Sequence, residues 1–349
     1  MKKIYVICLG LFCINVSAQD TVKVKSALTR EQESEIAYNV GLEFITKKDF
    51  NAAIENFSKA ITLNPNFDKA YTNRGFAKFE AKNYDASIQD FNKALFLKPL
   101  NVDAFFGKAQ SYNAMGKKDS CLAYLNKVTL IDEGYSNAFY LSGQMKFEVG
   151  DYKEAIVEYN NAIAAKANYA YAYNDRASAK KQLGDDAGAI VDYEKAISLD
   201  PKLFFSYNNL GSCKRNKGDN LGAIASYNAA INLKPDYYIA FNNRGSAKLN
   251  ANDFAGAISD FSLALKYKAD YALAMNNMAS VYIKKKDYKA ALDWATRAIQ
   301  ADARCGAAYL NRGIAKQMLR DIDGSCADWK KAAENGIPEG KNYSYGLCD

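Results

Sequence analysis

The sequence contains no histidine among its 349 residues. Histidine is the side chain that most often serves as a general base near neutral pH, and it is a frequent zinc ligand. Without it, no serine, cysteine or lysine can be activated by a histidine partner. The absence therefore excludes histidine-dependent hydrolases and histidine-containing metal sites.

Other patterns that carry catalysis are also missing. No glycine-rich loop follows a predicted strand, because stretches such as "GFAKFEAKNYDAS" at 75–87 join two helical segments. The neighbouring carboxylates Asp185 and Asp186 lie in a turn, where charged side chains are ordinarily solvated. We find no catalytic constellation, and the sequence predicts a protein that is not an enzyme and needs no cofactor or metal ion.

Long apolar runs are scarce, and the clearest one lies at the start of the chain. Two lysines precede an apolar stretch at 4–16, and the small-residue sequence "VSA" ends at Ala18. This pattern is typical of a cleavable secretory signal, and the run is too short to span a bilayer. We expect cleavage after Ala18, no transmembrane segment in the mature chain, and a secreted or periplasmic protein.

Five cysteines remain beyond that leader: Cys121, Cys213, Cys305, Cys326 and Cys348. None of them forms a close pair, so a metal knuckle or a redox motif is not indicated. In a compartment that permits disulfides, the pair best placed for a bridge is Cys326 and Cys348. Such a bridge would tie the C-terminal tail to the last helix.

The formal net charge of +7 is spread through the chain rather than gathered in one basic block. Nucleic-acid-binding proteins usually concentrate lysine and arginine on one face or stripe. The distribution therefore argues against nucleic acid as a partner.

The dominant feature is internal repetition. The stretch "AFNNRGSAKLNANDFAGAISDF" at 240–261 closely repeats "AYTNRGFAKFEAKNYDASIQDF" at 70–91, which lies 170 residues, or five times 34, earlier. A register of 34 residues aligns the chain from Ser34 to Glu339 without an insertion. It leaves an N-terminal segment at 19–33 and a tail at 340–349, and its nine repeats are 34–67, 68–101, 102–135, 136–169, 170–203, 204–237, 238–271, 272–305 and 306–339.

Each repeat reads as a pair of helices. The eighth place is always Gly or Ala, and the twentieth is Ala, Ser or Cys, whereas large residues, mostly aromatic, occupy most fourth and twenty-fourth places. These spacings of three, four and seven are helical. Turn residues at the middle of the repeat and prolines at its thirty-second place, such as Pro99 and Pro235, divide it into two helices.

This pattern resembles the tetratricopeptide repeat family, which has the same small eighth and twentieth places, aromatic twenty-fourth place and proline thirty-second place. The resemblance covers about nine tenths of the chain. It implies an all-α fold, a right-handed superhelical solenoid of tandem helix-turn-helix units whose concave wall is formed by the first helix of each repeat. A single hairpin cannot bury its apolar face alone, which explains why the unit recurs.

Four repeats depart from the family pattern at the seventh place, where arginine replaces the usual leucine. The same four repeats, and no others, carry aspartate at the twenty-third place. An arginine at a helix–helix seam needs a carboxylate partner if it is partly buried. We therefore expect ion pairs within these hairpins, namely Arg74 with Asp90, Arg176 with Asp192, Arg244 with Asp260, and Arg312 with Asp328.

Two asparagine files follow the predicted concave wall, whose places are two, five, six, nine, twelve and thirteen. The sixth-place file is Asn209, Asn243, Asn277 and Asn311, and the fifth-place file is Asn174, Asn208, Asn242 and Asn276. Amide side chains both donate and accept hydrogen bonds, so a ladder of them can bind a peptide backbone without reading its sequence. A similar ladder occurs in the repeat domain of O-linked N-acetylglucosamine transferases. The alternative is that asparagine is simply a frequent residue at these places of the first helix and has no binding role.

The N-terminal half of the wall carries aromatic residues instead: Tyr38, Phe76, Phe79, Phe106, Tyr140, Phe147 and Tyr171. Exposed rings would supply contact area for a partner protein. The alternative is that the rings pack between adjacent repeats. Because neither the fifth nor the ninth place is ever basic, the sequence does not fit the carboxylate clamp of chaperone-binding repeats.

The sequence thus predicts a non-enzymatic scaffold that binds a protein or an extended peptide in its concave groove, within a bacterial envelope or a secreted assembly. Two alternatives remain. Aromatic and amide side chains also suit a glycan, and the molecule could be an architectural spacer that docks through its convex face.

Overall fold

A computed structural model describes residues 28–344 and residue 348. Within them the chain is helical and contains no strand. The predicted leader at 1–18 lies outside the described residues. The chain divides into two compact units, unit 1 at 1–115 and unit 2 at 116–349.

Unit 1 contains five helices, in which α1 pairs with α2, α3 pairs with α4, and α5 packs on both α3 and α4. Their bounds are α1 Arg30–Thr46, α2 Phe50–Leu63, α3 Asp68–Glu80, α4 Tyr84–Leu97 and α5 Val102–Ala114.

Unit 2 begins with α6, which packs on α7, and continues as six antiparallel pairs from α7/α8 to α17/α18, with α19 lying on α18. The bounds are α6 Lys118–Ile131, α7 Ser136–Glu148, α8 Tyr152–Ala165, α9 Ala170–Gln182, α10 Asp186–Leu199, α11 Phe204–Asn216, α12 Asn220–Leu233, α13 Tyr238–Asn250, α14 Phe254–Tyr267, α15 Ala272–Lys284, α16 Tyr288–Ala301, α17 Gly306–Met318, α18 Ile322–Glu334 and α19 Glu339–Ser344. The all-α fold of tandem helix pairs is confirmed.

The first helix begins earlier than the 34-residue register indicates. Helix α1 starts at Arg30, inside the segment that the sequence assigned to an N-terminal extension. The cause is local: Thr29 accepts a hydrogen bond from the backbone N–H of Gln32, and Gln32 in turn accepts one from the N–H of Thr29. This capping box starts the helix four residues before Ser34.

Each turn between paired helices uses the same two devices. The fifteenth place has positive φ in every repeat, and it is glycine at Gly116, Gly150, Gly184 and Gly218 but lysine, asparagine or arginine in the other five. The sixteenth place caps the second helix in eight repeats, where an Asp or Asn side chain accepts a bond from the backbone N–H three residues on. In the third repeat this place is Lys117, which makes no such bond.

The core is built from the small and large places that the sequence pattern identified. The ring of Phe261 is fully buried against Gly245, so that a Cβ atom at Gly245 would lie 2.7 Å from Cε1 of the ring. Gly41 and Phe57 repeat the arrangement in unit 1. A methyl group would clash with the ring at that distance, so in these repeats the close approach of the paired helices depends on glycine at the eighth place.

The expected ion pairs are present in all four repeats, and each includes a second cation. Arg244 donates to both oxygens of Asp260, from Nε at 2.9 Å and from Nη2 at 2.5 Å, and Nζ of Lys248 lies 2.9 Å from Oδ2. Asp260 is 1% exposed. A buried carboxylate needs this degree of compensation. The hydrogen bond to Asp328 raises the pKa of the equivalent Arg312.

The C-terminal end of the chain is fastened by a disulfide. Cys326 on α18 is bonded to Cys348, with their Cα atoms 5.6 Å apart. Cys121, Cys213 and Cys305 are free thiols and buried. The bridge that the sequence favoured is therefore present and holds the tail against α18.

Over the residues that the structure describes, no helix combines the length and the apolar character needed to cross a bilayer.

Candidate functional site

The first helices of unit 2 form one continuous wall. Helix α7 contacts α9, and this side-by-side packing continues through α11, α13, α15 and α17. The second helices of successive repeats do not approach one another as closely. Unit 2 therefore curves with its first helices on the inner side, and we call that surface the inner wall.

The asparagines of the inner wall bond to one another across repeats. Nδ2 of three sixth-place asparagines donates to Oδ1 of the fifth-place asparagine in the preceding repeat. The bonds run from Asn243 to Asn208 at 3.0 Å, from Asn277 to Asn242 at 2.9 Å and from Asn311 to Asn276 at 2.8 Å. The two files predicted from the sequence are thus one network that joins neighbouring repeats.

This network corrects the role expected of the fifth-place residues. Asn174, Asn208, Asn242 and Asn276 are only 5–7% exposed and lie beneath the surface. They do not widen a polar floor, because they are covered by the next repeat and their carbonyl oxygens are already bonded. They support the sixth-place side chains that reach the surface.

The sixth-place asparagines are partly exposed and keep hydrogen-bonding capacity. Asn277 and Asn311 also donate to the hydroxyls of Ser246 and Ser280, at 3.3 and 2.9 Å, so both of their N–H groups are used. Their Oδ1 atoms accept no hydrogen bond from the described residues. The Oδ1 atoms of Asn209 and Asn243 each accept one bond, from the adjacent Asn208 and Asn242 at 3.3 and 3.4 Å. Because an amide oxygen has two lone pairs, all four side chains keep acceptor capacity.

A serine file on the same wall escaped the sequence analysis. The ninth place is Ser178, Ser212, Ser246 and Ser280 in four consecutive repeats, and it completes the recurring phrases "NNLGS", "NNRGS" and "NNMAS" at 208, 242 and 276. Ser246 and Ser280 each donate to the carbonyl of the fifth-place asparagine one turn earlier. The recurrence at the 34-residue interval was the signal that could have identified them.

The amide pattern is interrupted in the fifth repeat, where the sixth place is Asp175. The hydroxyl of Tyr140 donates to its Oδ2 at 2.7 Å, and Nδ2 of Asn174 donates to its Oδ1 at 2.9 Å. Burial raises the pKa of Asp175, while the hydrogen bonds from Tyr140, Asn174 and Gln144 act in the opposite direction. The partly buried carboxylate is thus held by neutral donors.

Two cations occupy the twelfth place of neighbouring repeats. Nζ of Lys181 donates to Oγ of Ser212 at 3.0 Å, and Arg215 lies one turn after Ser212 on α11. The inner wall is therefore positive at the twelfth place, which we call its far edge, and negative at the sixth place of the fifth repeat, where Asp175 lies.

The aromatic residues predicted in unit 1 are mostly used in packing. The ring centroid of Tyr38 lies 5.6 Å from that of Phe57 and 4.8 Å from that of Phe67. Its hydroxyl accepts a hydrogen bond from Nδ2 of Asn73. Phe76 and Phe79 contact Phe91 and Tyr84 in the same repeat, at 5.1 and 5.6 Å between ring centroids.

Phe106 is also a packing residue, since it is only 8% exposed. Its place in an exposed aromatic patch is therefore wrong, because the ring is covered within the helix stack.

In unit 2 the predicted aromatics divide between the core and the surface. Tyr140 packs 4.9 Å from Tyr169, and Phe147 packs edge-on to Tyr152 at 5.2 Å. Tyr171 remains 47% exposed and lies 6.0 Å from Phe205 on the next first helix. Of the seven predicted rings, Tyr171 is therefore the one that presents a large free face.

The described residues contain no cluster of three or more Cys, Asp or Glu side chains arranged to hold a metal ion.

Comparison with known proteins agrees with the repeat register. A tetratricopeptide repeat model matches residues 68–99, 102–135, 170–203 and 206–237. A second model, described as a TPR repeat, matches 41–82, and a third tetratricopeptide repeat model matches 242–308. No curated protein sequence matches the chain.

Several solved structures are similar. The chain resembles one in the APC/C hetero-tetramer Cut9–Hcn1, with a TM-score of 0.57 and 14% identity over 93% of this chain and 78% of that one. A tetratricopeptide repeat protein from Parabacteroides merdae gives a TM-score of 0.50 and 19% identity over 68% and 94%. YrrB, described as a TPR protein with an unusual peptide-binding site, gives a TM-score of 0.48 and 20% sequence identity. The match covers 53% of this chain and 95% of YrrB.

At these identities the likeness shows the fold alone. The three repeat models together match about two thirds of the sequence, and the matched segments fall within the helical repeats at 34–339. The chain belongs to the tetratricopeptide repeat family.

Proposed function

We propose that the protein is a non-enzymatic scaffold that binds an extended peptide segment of a partner protein along the inner wall of unit 2. The observation that carries this proposal is the file of partly exposed sixth-place asparagines. In Asn277 and Asn311 the nitrogen is engaged by the preceding repeat, and the side-chain oxygen accepts no hydrogen bond from the described residues. In Asn209 and Asn243 the side-chain oxygen accepts one bond and keeps a second lone pair. Such oxygens accept hydrogen bonds from backbone N–H groups.

The spacing of the wall suits an extended chain. Packed helices lie about 8–10 Å apart, so neighbouring asparagines of the file are separated by about that distance. A polyproline-II chain advances about 3.1 Å per residue with three residues per turn, or about 9 Å per turn. One peptide N–H in every three would therefore meet one asparagine, and the four asparagines would span roughly ten to twelve peptide residues.

We further propose that the scaffold acts outside the cytoplasm, in the periplasm or as a secreted protein. The support for this is the signal-like sequence at 1–18. Fractionation of cells that express the full-length chain, together with N-terminal sequencing of the mature form, tests the location. A mature protein that begins at Met1 in the cytosol would refute it.

The binding proposal is tested with twelve-residue peptides. They are selected from a random library for binding to a protein that comprises residues 19–349. A wall variant combines Asn209→Ala, Asn243→Ala, Asn277→Ala and Asn311→Ala. We expect it to bind the selected peptides at least about tenfold more weakly, because each lost hydrogen bond contributes about 1 kcal/mol. Fluorescence anisotropy gives the dissociation constants.

The matched control removes exposed asparagines from second helices, through Asn161→Ala and Asn232→Ala. It should bind as the wild type does. Circular dichroism checks that all variants remain helical, and the single change Asn209→Ala provides a milder test, since that side chain donates no hydrogen bond within the described residues. Equal binding by wall and control variants would contradict the proposal and favour docking through the convex face, whereas competition by soluble cell-wall glycan fragments would favour glycan recognition.

A further inference from the structure

The charge environment of Asp175 differs from that of the other buried aspartates. Asp90, Asp192, Asp260 and Asp328 each contact one arginine and one lysine within 3 Å. Asp175 makes no ion pair with any described residue, although it is partly removed from water. Its carboxylate accepts hydrogen bonds from neutral donors, and none of the described cations lies against it.

Aromatic rings lie next to this carboxylate. Tyr140 donates to it. Burial, with a smaller contribution from the charge of Asp175, raises the pKa of Tyr169 to about 12. Tyr171 precedes Asp175 by four residues on α9, so the two side chains share one face of the helix. The exposed ring of Tyr171 and its neighbour Phe205 therefore extend the site along the wall.

From this arrangement we infer that Asp175, Tyr171 and Phe205 form a subsite for an arginine or lysine side chain of the bound peptide. This inference rests on the peptide-binding function proposed above. The rings would cover the aliphatic stem and attract the cation, and the carboxylate would pair with the charged head. Lys181 lies six residues further along α9, about 9 Å away. Its positive charge repels a second basic residue of the peptide from the far edge of the wall.

The structure supplies a conservative variant for the test. Asn occupies the sixth place in each of the four following repeats, so Asp175→Asn introduces a side chain that this fold already accommodates there. Glu154→Gln removes one negative charge from an exposed position on α8 and serves as the matched control. Melting curves establish that both variants fold.

The probes are twelve-residue peptide mixtures, random except for one fixed position that holds either arginine or its neutral isostere citrulline. For the wild type, we expect arginine at the favoured position to bind about fivefold more tightly than citrulline, the scale of about 1 kcal/mol for a partly buried ion pair. Asp175→Asn should abolish this difference and leave citrulline binding unchanged. Glu154→Gln should preserve it.

A second readout does not depend on the rest of the peptide. N-acetyl-arginine amide should shift the side-chain amide NMR signals of Asn174 and Gln144 in the wild type but not in Asp175→Asn, and N-acetyl-citrulline amide should shift them in neither.

Equal binding of arginine and citrulline peptides would overturn the subsite while leaving peptide binding intact. A preference for arginine that survives Asp175→Asn, or a preference for glutamate in a third mixture, would also overturn it and direct attention to other charges, such as Lys181 and Arg215 for glutamate. If no mixture binds, both the subsite and the proposed function are wrong.

Discussion

At the scale of single residues, the buried carboxylates carry the clearest energetic consequences. Four aspartates in the hairpin seams each pair with an arginine and a lysine. Three of the arginines also donate to the second helix of the preceding repeat, through Ser58, Asn160 or Asn228. These three clusters therefore join the two helices of one repeat to the repeat before it. The lysine that completes each cluster, one turn after the arginine, was not predicted from the sequence.

Asp260→Asn tests the energetic contribution of these clusters. The change leaves Arg244 and Lys248 without their carboxylate in a largely buried seam, and we expect the free energy of unfolding to fall by about 3 kcal/mol. Urea denaturation followed by circular dichroism measures it. Asp270→Asn, in an exposed turn, should cost less than about 0.5 kcal/mol, and equal costs for the two changes would contradict this account.

Replacing Asp175 by asparagine should stabilise the protein at neutral pH, in contrast to the same change at Asp260. Because burial raises the pKa of Asp175, the folded state binds more protons than the unfolded state between the ordinary carboxyl pKa of about 3.9 and the raised value. The contribution of Asp175 to stability therefore falls as the pH rises through that window. We expect Asp175→Asn to melt at a higher temperature than the wild type at pH 7, and this difference to vanish near pH 3. A lower melting temperature at pH 7 would be inconsistent with an unpaired carboxylate.

At the scale of helices, each hairpin depends on the same turn. A residue with positive φ at the fifteenth place ends the first helix, and an Asp or Asn cap at the sixteenth starts the second. These signals could be predicted from the sequence because they are local and recur every 34 residues. The asparagine network could not, because which amide bonds to which depends on how neighbouring repeats pack.

Lys117 is the one sixteenth-place residue among the described repeats whose side chain does not cap the second helix. Adding a cap there can be compared with removing one elsewhere. Lys117→Asp should stabilise the protein by about 1 kcal/mol, because the introduced carboxylate can accept a hydrogen bond from the backbone N–H of Ser120. Asp219→Ala removes an existing cap and should cost about the same amount. Thermal melts of the two variants measure these changes, and a neutral or destabilising Lys117→Asp would show that the cap does not limit this helix.

At the scale of the whole molecule, the tandem helix pairing followed from the periodicity, because the hairpins obey the same packing rule. The candidate site was only partly predictable. The sequence placed the sixth-place asparagines on the inner wall, but it gave the fifth-place asparagines and Phe106 an exposure that tight packing denies them. It also passed over Asp175 as a binding residue, since only the structure shows that none of the described cations pairs with it.

The central claim is that the carbonyl oxygens of the asparagine file receive backbone N–H groups of an extended peptide. The most direct measurement is a scan in which each backbone nitrogen of a selected peptide is methylated in turn, with dissociation constants determined for the wild type. The account predicts losses of about fivefold that recur at every third residue, one for each asparagine engaged. Losses with no such period, or none at all, would contradict it.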